Sequence, residues 1–274
     1  MTELPSTTRD WAAGTLGLLD EPDTPTYFPC GNYRRRIRVV ATAPGVIEGG
    51  LEDDQHYFTV TLHHDDERVA TVTSASLRAP WSTCAAAAEP LRALAGMPLS
   101  DRCLAVTEWT ASAQHCTHQL DLAGLCIAHA ARGVRGGAPR RQYDAEVPFG
   151  LLDGEEHTVT LARDGEPRLR WVLRAGTIVA PSPYAEVPHG FAHWADATLG
   201  ADDAEAAVVL RRACSIGMSR GIDLDSYPTL ADMPGLRPVC YSMQPERAPV
   251  AFRNRGLIRD YDDRPDALLA DGPA

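Results

Sequence analysis

Gln55–Leu62 reads QHYFTVTL, and its apolar and polar residues alternate over the length of one half-buried strand. Arg68–Leu77 (RVATVTSASL) has the same character, and the polar run His63–Glu67 (HHDDE) between them has turn composition. Two such runs around a short polar turn predict an antiparallel hairpin. Upstream, Tyr33–Val40 reads as a further strand, set off by a stretch interrupted by Gly and Pro. The period then changes. Pro80-Trp81-Ser82-Thr83 has helix-entry composition, and Cys84–Gly96 predicts an Ala-rich helix stopped by glycine and kinked at Pro90. After a loop over 97–110, His115-Cys116-Thr117-His118 leads into Gln119–Arg132, which is apolar at helical spacing.

The second half appears to start over. Arg140-Arg141 echoes Arg35-Arg36, Thr158–Leu161 repeats the TVTL of Thr59–Leu62, Ala180-Pro181 echoes Ala79-Pro80, and Cys214 falls where Cys116 would. These matches share an offset of roughly 100 residues, which predicts an internal duplication of a three-strand, two-helix unit. The expected fold class is therefore α+β, with two related small antiparallel sheets and helices packed on one face, open to packing as a pseudo-dimer. The expected organisation is a leader over 1–32, with a short helix around Trp11–Leu19, and a first unit over 33–132. A linker over 133–141, a degenerate second unit over 142–246 and an extended tail over 247–274 follow.

The chain has 274 residues and a formal net charge of −11; its 26 basic side chains are all arginine. With no lysine, Walker-type phosphate binding and Schiff-base chemistry lose the ε-amine they need. The acidic balance argues against nucleic acid and against an anionic membrane surface. No apolar run has the roughly 18–20 residues of a membrane span. The N-terminus lacks a secretory pattern, and seven cysteines is an odd number, so a cytoplasmic protein with reduced thiols is expected.

Three short stretches hold the polar residues that could carry chemistry: Asp53–His56, Trp81–Cys84 and His115–His118. Sheet-edge loops and helix starts can bring them to one end of the layer. Carboxylate, imidazole and two thiols suit a transition metal, Zn or Fe, including an iron–sulfur cluster. The candidate ligands are Asp54, His56, Cys84, Cys116 and His118, with His115 and Asp53 as general-base or ligand-orienting residues. Cys84, read as opening a helix, is expected to have a lowered pKa. The spacing itself is weak: no CxxC or HExxH occurs, and buried, inert cysteines fit it as well. Of the remaining signals, His63–Asp66 reads as a solvated turn. Of Arg34, Arg35, Arg36 and Arg38, strand alternation is read as placing two on a shared face. Ser215 and Ser242 lack a nucleophile-elbow motif.

Residues 33–132 resemble the domain of unknown function 2889 family. The resemblance rests on Arg35-Arg36-Ile37, Leu51–His56, Arg78–Cys84, Leu94-Ala95-Gly96 and Cys116–Leu122; it implies a grouping and no activity. In its order of elements, with Cys84 and Cys116 each opening a helix, this half is also similar to NifU/IscU-type iron–sulfur scaffolds. In that resemblance Cys84 and Cys116 take the second and third cysteine positions, and Asp53–His56 stands where the first would be. In the second half Ala185 and Ile216 replace Cys84 and His118, which implies one site, in the first half. The expected function is a metal-dependent enzyme acting on a small molecule, with a homodimer allowed. The alternatives are an iron–sulfur or sulfur-carrier protein and a metal-free interaction module.

Overall fold

The computed structural model describes residues 27–187 and 189–273; the leader helix expected at Trp11–Leu19 lies outside them. Four strands, β1 (Asn32–Ala43), β2 (Val46–Asp53), β3 (Tyr57–His64) and β4 (Val69–Arg78), form a meander. After them come one helical turn, α1 (Val106–Trp109), and the long helix α2 (Thr117–Val134). The order then repeats: β5 (Arg140–Pro148), β6 (Glu156–Arg163), β7 (Glu166–Arg174), β8 (Thr177–Ala180), α3 (Phe191–Thr198) and α4 (Ala201–Gly217). The class is α+β, as expected.

Instead of two small sheets there is one eight-stranded antiparallel sheet, in the order β4-β3-β2-β1-β5-β6-β7-β8. The first strands of the two halves pair along their length, from Asn32↔Pro148 to Val40↔Arg140. Each meander runs outward from this central seam. Arg140 and Arg141 therefore belong to a central strand and not to a linker.

Each half has four strands and not three. The missed strand is β2, VIEGGLED, whose two glycines hide its alternation. Both glycines answer to packing. A Cβ on Gly49 would lie 2.6 Å from Cys126 Sγ of α2, and one on Gly50 would lie 2.9 Å from Pro273. A helix crowds one face of this strand and the C-terminal segment crowds the other.

Helices α2 and α4 lie side by side on one face, α2 against the first meander and α4 against the second. Ion pairs Arg132–Glu205 and Arg212–Asp121 tie them together. Under them sit Tyr33, Ile37, Leu51, Phe58, Tyr143, Val159 and Trp171, all nearly or fully buried. The echo of TVTL is out of step with the topology, because it falls in β3 of the first half and β6 of the second. Cys116 precedes α2 whereas Cys214 lies near the end of α4. Arg35-Arg36 with Arg140-Arg141, and Ala79-Pro80 with Ala180-Pro181, do match element for element. Ala85–Leu94 is a run of 3₁₀ turns and not an α-helix; Pro90 within it cannot donate an amide hydrogen bond.

The opposite face is half covered. Residues 257–273 cross β1 and β2, burying Leu257, Ile258, Tyr261, Leu268 and Leu269. Glu52 accepts from Tyr261 Oη and from the Leu269 amide, while Arg36 and Arg38 donate to the carbonyls of Leu268, Leu269 and Pro273. Arg34, Arg36 and Arg38 share this outer face, three where two were expected, and Arg35 alone points inward. Glu146 and Asp262 meet the charge of Arg34 and Asp144 that of Arg36, whereas Arg38 donates to Gln142 and to carbonyls of the C-terminal segment.

Candidate metal centre and substrate pocket

The register of β2 decides which carboxylate points inward. Asp53 pairs with Arg35 across the β1–β2 ladder and shares its face, so Asp54, one residue on, leaves that face. Asp53 is fully buried. Its Oδ2 accepts from Tyr33 Oη at 2.8 Å and from Arg35 Nε and Nη2 at 3.1 and 2.7 Å. Its Oδ1 accepts from the amides of Gln55 and His56, both at 2.8 Å, which bends the chain into β3. The same oxygen lies 2.9 Å from His56 Nδ1. Burial alone would raise the carboxyl's pKa, but the charges of His56 and Arg35 outweigh it and hold Asp53 well below the usual range. In the neutral ring, an ionised Asp53 keeps the proton of His56 on Nδ1 and leaves Nε2 as the acceptor. It makes no hydrogen bond with a described residue.

His118 stacks on His56 with ring centroids 4.0 Å apart and planes 28° apart, and Phe58 extends the stack. His118 Nδ1 lies 4.0 Å from Cys116 Sγ, and its buried Nε2 has no partner. Burial, with the charges of His56 and Arg35, holds this imidazole well below its ordinary pKa and hence neutral. Among the described residues, Asp53, His56 and His118 form the one group whose ligand atoms lie within 4.8 Å of one another.

His56, His118, Cys84 and Cys116 all line one cavity of about 340 Å³. Its far wall comes from α4, through Arg212, Ser215 and Ile216, and from the 224–243 segment. Most of its lining is apolar, with Phe58, Trp81, Leu230, Met233 and Met243. Cys240, from that closing segment, is a lining residue that sequence reasoning missed, and Ser242 one that it set aside for want of a nucleophile-elbow motif. Ser242 accepts from Thr83 Oγ1 and sits 3.7 Å from Cys84 Sγ. No spacing rule links positions so far apart; an odd cysteine count was the available hint for Cys240.

Three expectations change. Asp54 is not beside the other candidates: its Oδ2 pairs with Arg220, which also binds Asp260 and the Cys30 carbonyl. Burial raises Asp54 to about 7 against the pull of Arg220. His115 also stays out of the cavity. Its Nε2 bonds Thr110 Oγ1 at 2.8 Å and its carbonyl accepts from the Tyr241 amide, making it a brace for the closing segment. Finally, Cys84 does not have a lowered pKa. It precedes 3₁₀ turns, and burial pushes its thiol up to about 11. Burial pushes Cys116 up as well, although the amides of Gln119 and His118 oppose the shift.

No family model matches the chain, and no curated protein matches it.

The donor set fits a borderline-soft ion in part. Thiols from two separate segments and two imidazoles line one cavity, donor types that Zn and Fe accept. Asp53 does not fit as a ligand, since both oxygens are already committed. Nor do both imidazoles fit one ion as placed. Nearly parallel rings 4.0 Å apart do not present in-plane lone pairs to one point at bond lengths of about 2.0–2.1 Å.

Proposed function

We propose that the cavity is the active site of a metal-dependent enzyme acting on a small molecule, with Zn or Fe held by Cys84, Cys116 and His118. The observation that carries this reading is the convergence of those three side chains with His56 on a single cavity. Of the three, Cys116 Sγ and His118 Nδ1, 4.0 Å apart, come near the roughly 3.6 Å that bond lengths of about 2.3 and 2.0–2.1 Å imply for neighbouring ligands on a tetrahedral ion; Cys84 lies outside the group whose ligand atoms fall within 4.8 Å of one another and would have to move to join them. When bound, such an ion supplies a Lewis acid.

The chain's own residues supply the proton chemistry. Arg35 and Tyr33 anchor Asp53, Asp53 holds His56 Nδ1–H, and His56 Nε2 takes a proton from a substrate in the cavity. The apolar walls exclude water, which strengthens each electrostatic contact inside. Asp54 and His115 take no part.

Metal analysis of the full chain purified anaerobically tests this. About one Zn or Fe per chain is expected, lost in the Cys84→Ala/Cys116→Ala variant and kept in Asp54→Asn. Wild-type protein that takes up neither Zn(II) nor Fe(II) on reconstitution would overturn it. Metal-free acid–base catalysis is the second reading, favoured by the complete orientation of His56 without an ion. It predicts turnover that survives chelation and disappears in His56→Gln. Visible absorption with acid-labile sulfide would instead mark an iron–sulfur protein.

A further inference from the structure

Arg212 is the one formally charged side chain lining the cavity among the described residues, and no carboxylate lines it. A guanidinium presents two edges for recognition. Asp121 takes one, accepting from Nε at 2.7 Å and from Nη2 at 3.4 Å. Asp121 thus fixes the orientation of Arg212, a residue of the cavity wall, and leaves Nη1 without a hydrogen-bond partner among the described residues.

A second feature lies on the neighbouring wall. Helix α2 begins at Thr117, and both Thr117 and His118 line the cavity. Thr117 Oγ1 makes no hydrogen bond with a described residue. His118 is 6% exposed and its Nε2 has no partner. The first turn of an 18-residue helix favours negative charge. The rest of the lining is mainly apolar, interrupted by Gln55, His56, the hydroxyls of Ser215, Ser219 and Ser242, and the thiols.

We infer that the cavity takes an organic monocarboxylate with an apolar body, its carboxylate held by Arg212 Nη1 with Thr117 beside it. This names the substrate class and rests on the reading of the cavity as the substrate site. A phosphate ester fits less well, because a dianion would meet a single guanidinium already half neutralised by Asp121.

Binding by the full chain, measured by calorimetry with phenylacetate, phenylacetamide and phenyl phosphate, tests it. Phenylacetate should bind about tenfold or more tighter than its neutral amide, the scale of one charge-assisted hydrogen bond. In Arg212→Gln/Asp121→Asn, which removes both charges and keeps a polar pair, the preference should fall to about onefold while amide binding persists. Asp121→Asn alone should keep or increase it. Equal binding of acid and amide by wild type would overturn the proposal. So would a preference that survives in the double variant, tighter binding of phenyl phosphate, or no binding of any probe. Metal content is read separately: a chain that prefers the acid but holds no metal loses only the metal reading, and a chain that holds metal without the preference loses only this one.

Discussion

Asp53 does structural and chemical work with the same two oxygens. It neutralises Arg35, which is 1% exposed, while its other oxygen sets the tautomer of His56. Asp53→Asn would leave a buried guanidinium uncompensated. Removing one partner of a buried pair costs about 3–5 kcal/mol, so the urea midpoint should fall by that equivalent and the site should lose its oriented base. Asp54 behaves oppositely. Its folded pKa of about 7 lies above the ordinary 3.8, so the native state takes up a proton between those values. Stability from this group is fully present below about pH 4 and is lost as pH rises through 7. Compared with Asp54→Asn, the wild type should therefore lose stability on going from pH 4 to pH 8. Three pKa units at 1.36 kcal/mol each set the upper size of that loss, on the order of 4 kcal/mol. Parallel denaturation curves at the two pH values check it; equal slopes for the two proteins would contradict it.

At the scale of elements, β2 marks the boundary of what sequence reading reached. The hairpin of β3 and β4, the helix at 117–134 and the restart near residue 140 are all legible, because alternation and helical periodicity report a single buried face. Strand β2 is not legible. Its Gly49 and Gly50 meet long-range demands, from α2 and from the C-terminal segment, that no local window contains. Losing the strand also lost its register, and with it the choice between Asp53 and Asp54. The cysteines and histidines of the site were found by residue type. Arg212 and Cys240 were not, because topology alone brings them to the cavity. Gly49→Ala tests this account of the strand: the added methyl meets Cys126 Sγ at 2.6 Å, and overpacking of this kind costs about 1–3 kcal/mol. Truncating the opposing side chain, in Gly49→Ala/Cys126→Ala, should recover part of the loss in a thermal melt.

For the whole molecule, the pairing of β1 with β5 makes the halves interdependent. Residues 33–132 expressed alone would expose one edge of β1 and lose the wall of the cavity built by α4 and the 224–243 segment. Deleting residues 257–273 should be costly in another way. It uncovers Gly50 and Glu52 and leaves Arg36 and Arg38 without their carbonyl acceptors. The shortened chain is expected to unfold at lower urea than the full chain; an unchanged midpoint would show that the segment is dispensable.

That covering segment also bears on how the protein is made. Arg36 and Leu268, which it joins, stand 232 residues apart in sequence, among the most distant pairs a chain of this length can close. A ribosome that has just finished α4 holds a polypeptide with both meanders and both long helices available, yet with the outer side of β1 and β2 still bare. Sheet and helices can assemble during synthesis, whereas that side waits for residues translated some fifty positions later. In that interval the nascent chain presents a face of unpartnered charge, with Arg36, Arg38 and Glu52 still awaiting the backbone groups they bind.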